Sequence, residues 1–268
     1  MKIGVLGASG RMGQAVIAAI SKYPQLQLAA AVVSGQSAQL GQPVTNDLRY
    51  QSRDQLQAQQ VEVWIDFSLP SALADNLALA AQQSTPIVVC TTGLSPEHQQ
   101  LMHASAQHIG LLYAANTSVG VALLQQLTEL ASAALADADI EIIEAHHRHK
   151  RDAPSGTAVI LGDSAARGRN SSLAQLSAGI RSDGERAPGS IGFASIRAGD
   201  IIGEHTVLLA QPGERVELTH KVSDRRVFAD GALRAAQWLV KQPPGRYRMA
   251  DMLDLSATFE RLLQQSDE

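Results

Sequence analysis

One glycine run constrains this chain more than any other feature. Near the start, Gly7-Ala8-Ser9-Gly10-Arg11-Met12-Gly13 separates an apolar run at 3–6 from a helical pattern at 13–23, in which Val16, Ile17 and Ile20 share a face. Strand, glycine turn and helix in that order make the first unit of a parallel α/β sheet. Glycines permit the tight turn and let backbone N–H groups approach a pyrophosphate, and the helix N-terminus adds about half a positive charge. The spacing is G-x-x-G-x-x-G, not the commoner G-x-G-x-x-G. A phosphate P-loop is excluded, because it needs Gly-Lys-Ser/Thr and Gln14 follows Gly13. A plain tight turn also fits the run; its place between strand and helix favours dinucleotide binding.

The alternation continues. Residues 26–33, 61–67, 86–90 and 109–114 read as strands, and 71–83 and 96–107 as helices. Such βαβ order implies a parallel sheet covered on both faces. After Asn116 the pattern changes to a long helix at 119–135, a strand at 140–147 and a helix at 156–167. Three β-like runs follow, at 190–197, 204–210 and 215–221. Their connectors, Ala198-Gly199-Asp200 and Gln211-Pro212-Gly213-Glu214, have turn chemistry and predict antiparallel neighbours. Residues 229–241 return to a helix with Trp238 on its apolar face. The expected class is α/β: a Rossmann-like parallel-sheet dinucleotide-binding domain, plus a central α+β domain with a mixed or antiparallel sheet.

Composition narrows the partners. The 268 residues suit one large domain or two smaller ones. Aromatics are only 4%, so the core must come from Ala, Val, Ile and Leu. A net charge of −4 argues against a general nucleic-acid or anionic-membrane binder. The single cysteine, Cys90, forms no internal disulfide, which suits a reducing compartment; it reads as a small core residue. No apolar run approaches the ~20 residues of a membrane span. The first run is broken at once by glycines, unlike a secretory leader. The expectation is a cytoplasmic protein with no nucleic-acid or membrane partner.

The densest chemistry lies at 144–158, where three of the eight histidines fall within four residues. Metal binding by His146, His147 and His149 is disfavoured, because neighbours on a strand face opposite ways and no carboxylate or Cys spacing completes a set. A nucleic-acid patch would interleave aromatics, and none are present. A solvated basic loop is the plain alternative. The sharper reading is an anion site. Lys150 is a point charge with three donors. Pro154-Ser155-Gly156-Thr157 opens a helix whose Gly156 and Thr157 N–H groups, with the Thr157 hydroxyl, make a second anion site. Two such sites suggest a dicarboxylate, and His146 or His147 is suited to donate a proton near neutral pH.

These elements, taken together, resemble the 4-hydroxy-tetrahydrodipicolinate reductase (dihydrodipicolinate reductase) family. The matching elements are the glycine run; Asp66-Phe67-Ser68; Thr91-Thr92-Gly93; Ala115-Asn116-Thr117-Ser118-Val119-Gly120; and the stretch from Glu141 to Thr157. Further ones are Gly192-Phe193-Ala194, Arg197-Ala198-Gly199-Asp200, Gly203-Glu204-His205-Thr206 and Thr219-His220-Lys221. They occur in order over nearly the whole chain.

The resemblance implies a dinucleotide-binding domain from 1–117 plus 228–268, and a substrate-binding and oligomerisation domain from 118–227 in a homotetramer. It implies hydride transfer from NADPH or NADH to a small dicarboxylate, with loss of water, in lysine and diaminopimelate biosynthesis. By position, His146 is the proton donor and Lys150 the charge at the reacting imine and carboxylate. His147, Gly156 and Thr157 would help hold the substrate. Gly7, Ala8, Ser9, Gly10, Arg11, Met12, Ser34, Phe67, Thr91, Thr92, Gly93, Ala115, Asn116 and Thr117 would line the cofactor. No metal is implied.

Two departures stand out. The family often has Phe where Thr117 stands. Some members also carry an acid at the end of the second strand, where this chain has Val33-Ser34. Without that repulsive acid NADPH is not excluded, and Arg11 is the nearest cation in sequence for a 2′-phosphate. NADPH is therefore expected to equal or modestly exceed NADH. Asp66 reads equally as a turn cap or a cofactor contact, and His205 and His220 as structural. Competing functions are another two-domain nicotinamide dehydrogenase of a small amino or keto acid, and a non-catalytic dinucleotide sensor. A sensor has no need of a proton donor beside an anion site.

Overall fold

The computed structural model describes residues 1–56, 61–181 and 183–266. Residues 267 and 268, the end of the expected cofactor domain, lie outside the described residues. In chain order the elements are β1 (Lys2–Leu6), α1 (Arg11–Ile20), β2 (Gln27–Val32), β3 (Val63–Asp66), α2 (Leu73–Gln82), β4 (Ile87–Val89), α3 (Pro96–Ser105) and β5 (Gly110–Tyr113). Then come α4 (Val119–Ala134), β6 (Asp139–His146), α5 (Gly156–Gly168), α6 (Leu173–Leu176), β7 (Ser177–Ile180), β8 (Ile191–Arg197), β9 (Gly203–Gln211) and β10 (Glu214–Val222). The chain ends with α7 (Arg226–Leu239), β11 (Gly245–Tyr247) and α8 (Leu255–Ser266). Two compact units result: Met1–Ser118 with Arg226–Glu268, and Val119–Arg225.

The first unit holds a parallel sheet in the order β11-β5-β4-β3-β1-β2. Every residue of β3 and β4 is buried, as expected of strands covered on both faces. Residues of α2 and α3, among them Leu73, Leu77 and Met102, pack over Trp64, Val89 and Leu111. The indole of Trp64 satisfies its donor on Gln83 Oε1 at 3.1 Å. The helix α7 packs on α1 and across β3, β4 and β5. Its buried face is mostly Ala and Gly, which lets the helix lie close to the sheet. The strand β11 pairs in parallel with β5, Gly245 opposite Gly110. Three residues, Gly-Arg-Tyr, carry no period-2 signal, and this strand was not anticipated.

The second unit holds a mixed sheet in the order β10-β9-β6-β8-β7. Its core, with Ile140, Ile142, Phe193, Val207 and Leu209, packs under α4 and α5. The hairpin β9–β10 matches expectation, turning at Gly213 with φ +86°. The run at 190–197 departs from it. As β8 it runs parallel to β6, whose other edge pairs antiparallel with β9. The Ala198-Gly199-Asp200 turn passes over the end of β6: Ala198 N–H donates to His146 O (2.9 Å) and Arg148 N–H to Gly199 O (3.2 Å). Turn chemistry dictated a reversal, but not which strand would lie between its arms. β6 took that middle place, burying Ile140 and Ile142.

Candidate active site

In the first unit the expected cofactor residues follow the C-terminal ends of β1 to β5, where a parallel sheet opens a ligand crevice. Two glycines there are sterically required. Gly7 has φ +72°, and a Cβ on it would stand 2.7 Å from Phe67 O. A Cβ on Gly13 would stand 2.3 Å from Gly7 O, so only glycine lets α1 seat against the turn. Gly10 is the N-cap of α1 and offers no side-chain acceptor. The first turn of α1 thus presents N–H groups to an anion, as a pyrophosphate requires.

Gly7, Ser9, Gly10, Ser34 and Phe67 line one cavity of about 480 Å³. The other proposed cofactor residues do not line it. Ala8 is buried in the turn. Arg11 and Met12 begin α1, with Arg11 exposed. Thr92 and Gly93 follow β4, exposed, while the buried Thr91 donates to Ser68 O at 3.2 Å. Ala115 and Asn116 follow β5, Asn116 accepting from Ser118 N–H at 2.9 Å. Thr117 is buried and its hydroxyl donates to Phe228 O at 2.6 Å, tying β5's loop to α7. Asp66 acts as a turn cap: it is fully buried and accepts from Ser68 N–H (2.8 Å) and Asn76 Nδ2 (3.0 Å). Burial raises its pKa against those bonds.

In the second unit His146 ends β6, 9% exposed. Two residues back on the same strand face lies Glu144, 1% exposed. Its Oε2 sits 2.5 Å from His146 Nδ1. Arg197, at the end of β8, grips both carboxylate oxygens at 2.8 and 2.7 Å, and Ser155 N–H donates to Oε1 at 3.2 Å. Burial would raise the Glu144 pKa, but Arg197 and His146 outweigh it and hold it down at about 2. Ionised, Glu144 only accepts, so His146 must donate through Nδ1, and Nε2 lies beside Gly203. Gly203 leaves room there, since a Cβ would stand 3.1 Å from Nε2.

Burial lowers the His146 pKa; Glu144 opposes this, while Lys150 and Arg197 add to it. Lys150 follows within a turn, its N–H on His147 O, and its Nζ bonds both Asp152 oxygens at 2.9 Å. His147 is half-buried, its ring 6.2 Å from that of His149. Gly156 and Thr157 are the first two residues of α5, capped by Ser155, whose Oγ accepts from Ala158 N–H at 3.2 Å. The same Oγ meets His205 Nε2 at 3.1 Å. His205 lies edge-on to His146 at 5.1 Å. Burial first, then His146, pushes its pKa down to about 4. Among the described residues no group of three His, Cys, Asp or Glu is placed to hold a metal.

The sequence reading gave Glu144, Arg197 and Ser155 no part in the site, and read His205 as structural. Glu144 carried a signal, a carboxylate two residues from a histidine on one strand. Arg197 carried none, because the register that sets it opposite His146 exists only in the folded sheet.

A glycine cradle on a parallel sheet, with a carboxylate-pinned histidine and a lysine in a second unit, defines a nicotinamide-dependent oxidoreductase of two units. The comparisons narrow this. Residues 1–117 match the family model "Dihydrodipicolinate reductase, N-terminus" and 120–253 match "Dihydrodipicolinate reductase, C-terminus". The chain therefore belongs to the dihydrodipicolinate reductase family. A 4-hydroxy-tetrahydrodipicolinate reductase of Pseudoalteromonas atlantica is 44% identical over 95% of this chain and 99% of its own length. One of Agrobacterium fabrum is 45% identical over 96% and 97%. In fold, the chain resembles a dipicolinate-bound dihydrodipicolinate reductase from Paenisporosarcina sp. TG-14, with a TM-score of 0.75 at 23% identity over 92% and 97% of the two chains.

Proposed function

We propose that this chain reduces 4-hydroxy-tetrahydrodipicolinate to tetrahydrodipicolinate, with loss of water, in lysine and diaminopimelate biosynthesis. The observation that carries the reading is the Glu144–His146 pair: a buried, ionised carboxylate fixes one ring nitrogen and leaves the other for a proton. When bound, NADH or NADPH supplies the hydride. Gly7, Ser9 and Gly10 would hold its pyrophosphate, with Ser34 and Phe67 on the walls of the same cavity. The remaining loop residues Ala8, Arg11, Met12, Thr91, Thr92, Gly93, Ala115, Asn116 and Thr117 would shape the crevice around it. His146 donates through Nε2 to the reduced ring. Lys150, aimed by Asp152, meets the developing charge at the imine and one carboxylate. The first N–H groups of α5 at Gly156 and Thr157, with the Thr157 hydroxyl, take the second carboxylate, and His147 borders it.

The same reading makes 1–117 plus 228–268 the dinucleotide domain and 118–227 the substrate domain. It places the enzyme in the cytoplasm, which the single, buried Cys90 suits. It also makes the enzyme a homotetramer. Exposed Ala194 and Ile196, two residues apart on one face of β8, support this as apolar surface available to other subunits. The test couples the aldol product of pyruvate and aspartate semialdehyde to loss of nicotinamide absorbance. Turnover with either cofactor is expected, and none with both would overturn the reading.

A further inference from the structure

By sequence order, the adenosine end of the cofactor cavity has no charged partner near the end of β2: Val33, Ser34 and Gly35 are neutral. Folding supplies one from a distant segment. Gln51 bridges Val32 in parallel, with Val33 N–H on Gln51 O (2.8 Å) and Gln51 N–H on Ala31 O (3.0 Å). The segment runs beside β2 like one more short strand and ends where β2 ends. Ser52 then caps a 3₁₀ turn over Arg53–Gln55, its N–H on Gln55 Oε1 at 3.1 Å. That turn sets Arg53 and Asp54 on the wall of the 480 Å³ cavity, with Ser34, Gly7 and Gly10. Among the described residues lining it, Arg53 is the single cation and Asp54 the single acid.

The two are not equally available. Arg53 spends its guanidinium on Asp75 (2.6 Å) and Asn76 Oδ1 (2.8 Å), and Asn76 is itself held by Asp66 at 3.0 Å. Asp54 is exposed, with Oδ2 3.4 Å from Ser52 Oγ. We infer that Asp54 sets cofactor choice: its carboxylate accepts from the ribose hydroxyls of NADH and repels the 2′-phosphate of NADPH, while Asp75 and Asn76 restrain Arg53 from answering that phosphate. The inference rests on the proposed placement of the dinucleotide at the glycine turn. It reverses the ranking drawn from sequence, in which NADPH equalled or exceeded NADH. A carboxylate accepts well from hydroxyls and opposes a phosphate, so one residue acts on both sides of the comparison.

The experiment measures the Kd of NADH and of NADPH by fluorescence titration of the intact protein, and kcat/KM with each. Native protein should prefer NADH by about tenfold, and raising salt should shrink that preference, because repulsion between exposed charges is screened. Asp54→Asn should lower the ratio about tenfold by weakening NADH and strengthening NADPH, and should remove most of its salt dependence. Asp75→Asn should strengthen NADPH by freeing Arg53. A ratio unchanged within twofold in Asp54→Asn overturns the inference, as does a native preference for NADPH. Gly10→Glu separates the underlying reading. Loss of both cofactors there, with an unchanged ratio in Asp54→Asn, refutes the role of Asp54 alone. Retention of both in Gly10→Glu refutes the dinucleotide placement itself.

Discussion

Replacing Glu144 by Gln keeps the shape of the side chain and removes its charge. The structure sets the size of the effect. The carboxylate is 1% exposed and holds Arg197, His146 and the Ser155 N–H together. Its pKa falls from an ordinary 4.5 to about 2, which at about 1.36 kcal/mol per unit amounts to about 3 kcal/mol. Breaking a buried ion pair by removing one partner costs about 3–5 kcal/mol, so two routes agree. At roughly 2–4 °C per kcal/mol, the melting temperature should drop by about 6–12 °C. The sign follows from the depressed pKa. The stabilisation is present above pH 4.5 and is lost as pH falls towards 2, so the gap between native and variant should close on acidification.

Catalysis should suffer separately. Glu144 is what opposes the downward push of burial on His146, so without it the imidazolium is harder to form. Turnover should fall about 10²-fold, and the alkaline limb of the kcat pH profile should move to lower pH. Differential scanning calorimetry, acid unfolding and steady-state pH profiles read the three effects. A variant with native melting and an unmoved pH limb would show that the pair neither stabilises the unit nor orients the histidine.

Lys150→Ala should lower kcat about 10²–10⁴-fold while the Kd of NADH stays within twofold, since Lys150 lies in the second unit; near-native turnover would misplace the site. Gly13→Ala, whose Cβ would meet Gly7 O at 2.3 Å, should destabilise the chain and weaken both cofactors, read by thermal melting and fluorescence titration. Pyridine-2,6-dicarboxylate should compete with substrate, and a monocarboxylate analogue should bind more weakly, because one of two anion sites stays empty; equal inhibition constants would refute the two-site picture. Ending the chain before Arg226 should abolish soluble folding, since β5 loses β11 and the core loses Ala232, Leu233 and Leu239 of α7; a soluble, cooperatively melting product would contradict it.

The glycine run, the apolar strands and the histidine–lysine segment were legible because each is local. A tight βα turn needs glycines in a row, and a strand buried on both faces needs continuous Val, Ile and Leu. His146, Lys150 and Thr157 lie within a dozen residues, so their chemistry is read from the chain itself. What escaped reading is what long-range pairing creates. Arg197 reaches Glu144 only because β8 lies parallel to β6, and the turn at 198–200 does not reveal that β6 sits between β8 and β9. His205 comes to Ser155 from 50 residues away. Asp54 lies 20 residues beyond Ser34 in sequence, yet shares its cavity because residue 51 pairs with the edge of β2. Local sequence determined which segments become strands, helices and anion-binding turns, since propensity, periodicity and glycine sterics act over a few residues. Tertiary structure decided which charges meet, because strand order and register pair residues far apart in the chain, and that pairing is settled among whole segments rather than encoded in any one of them.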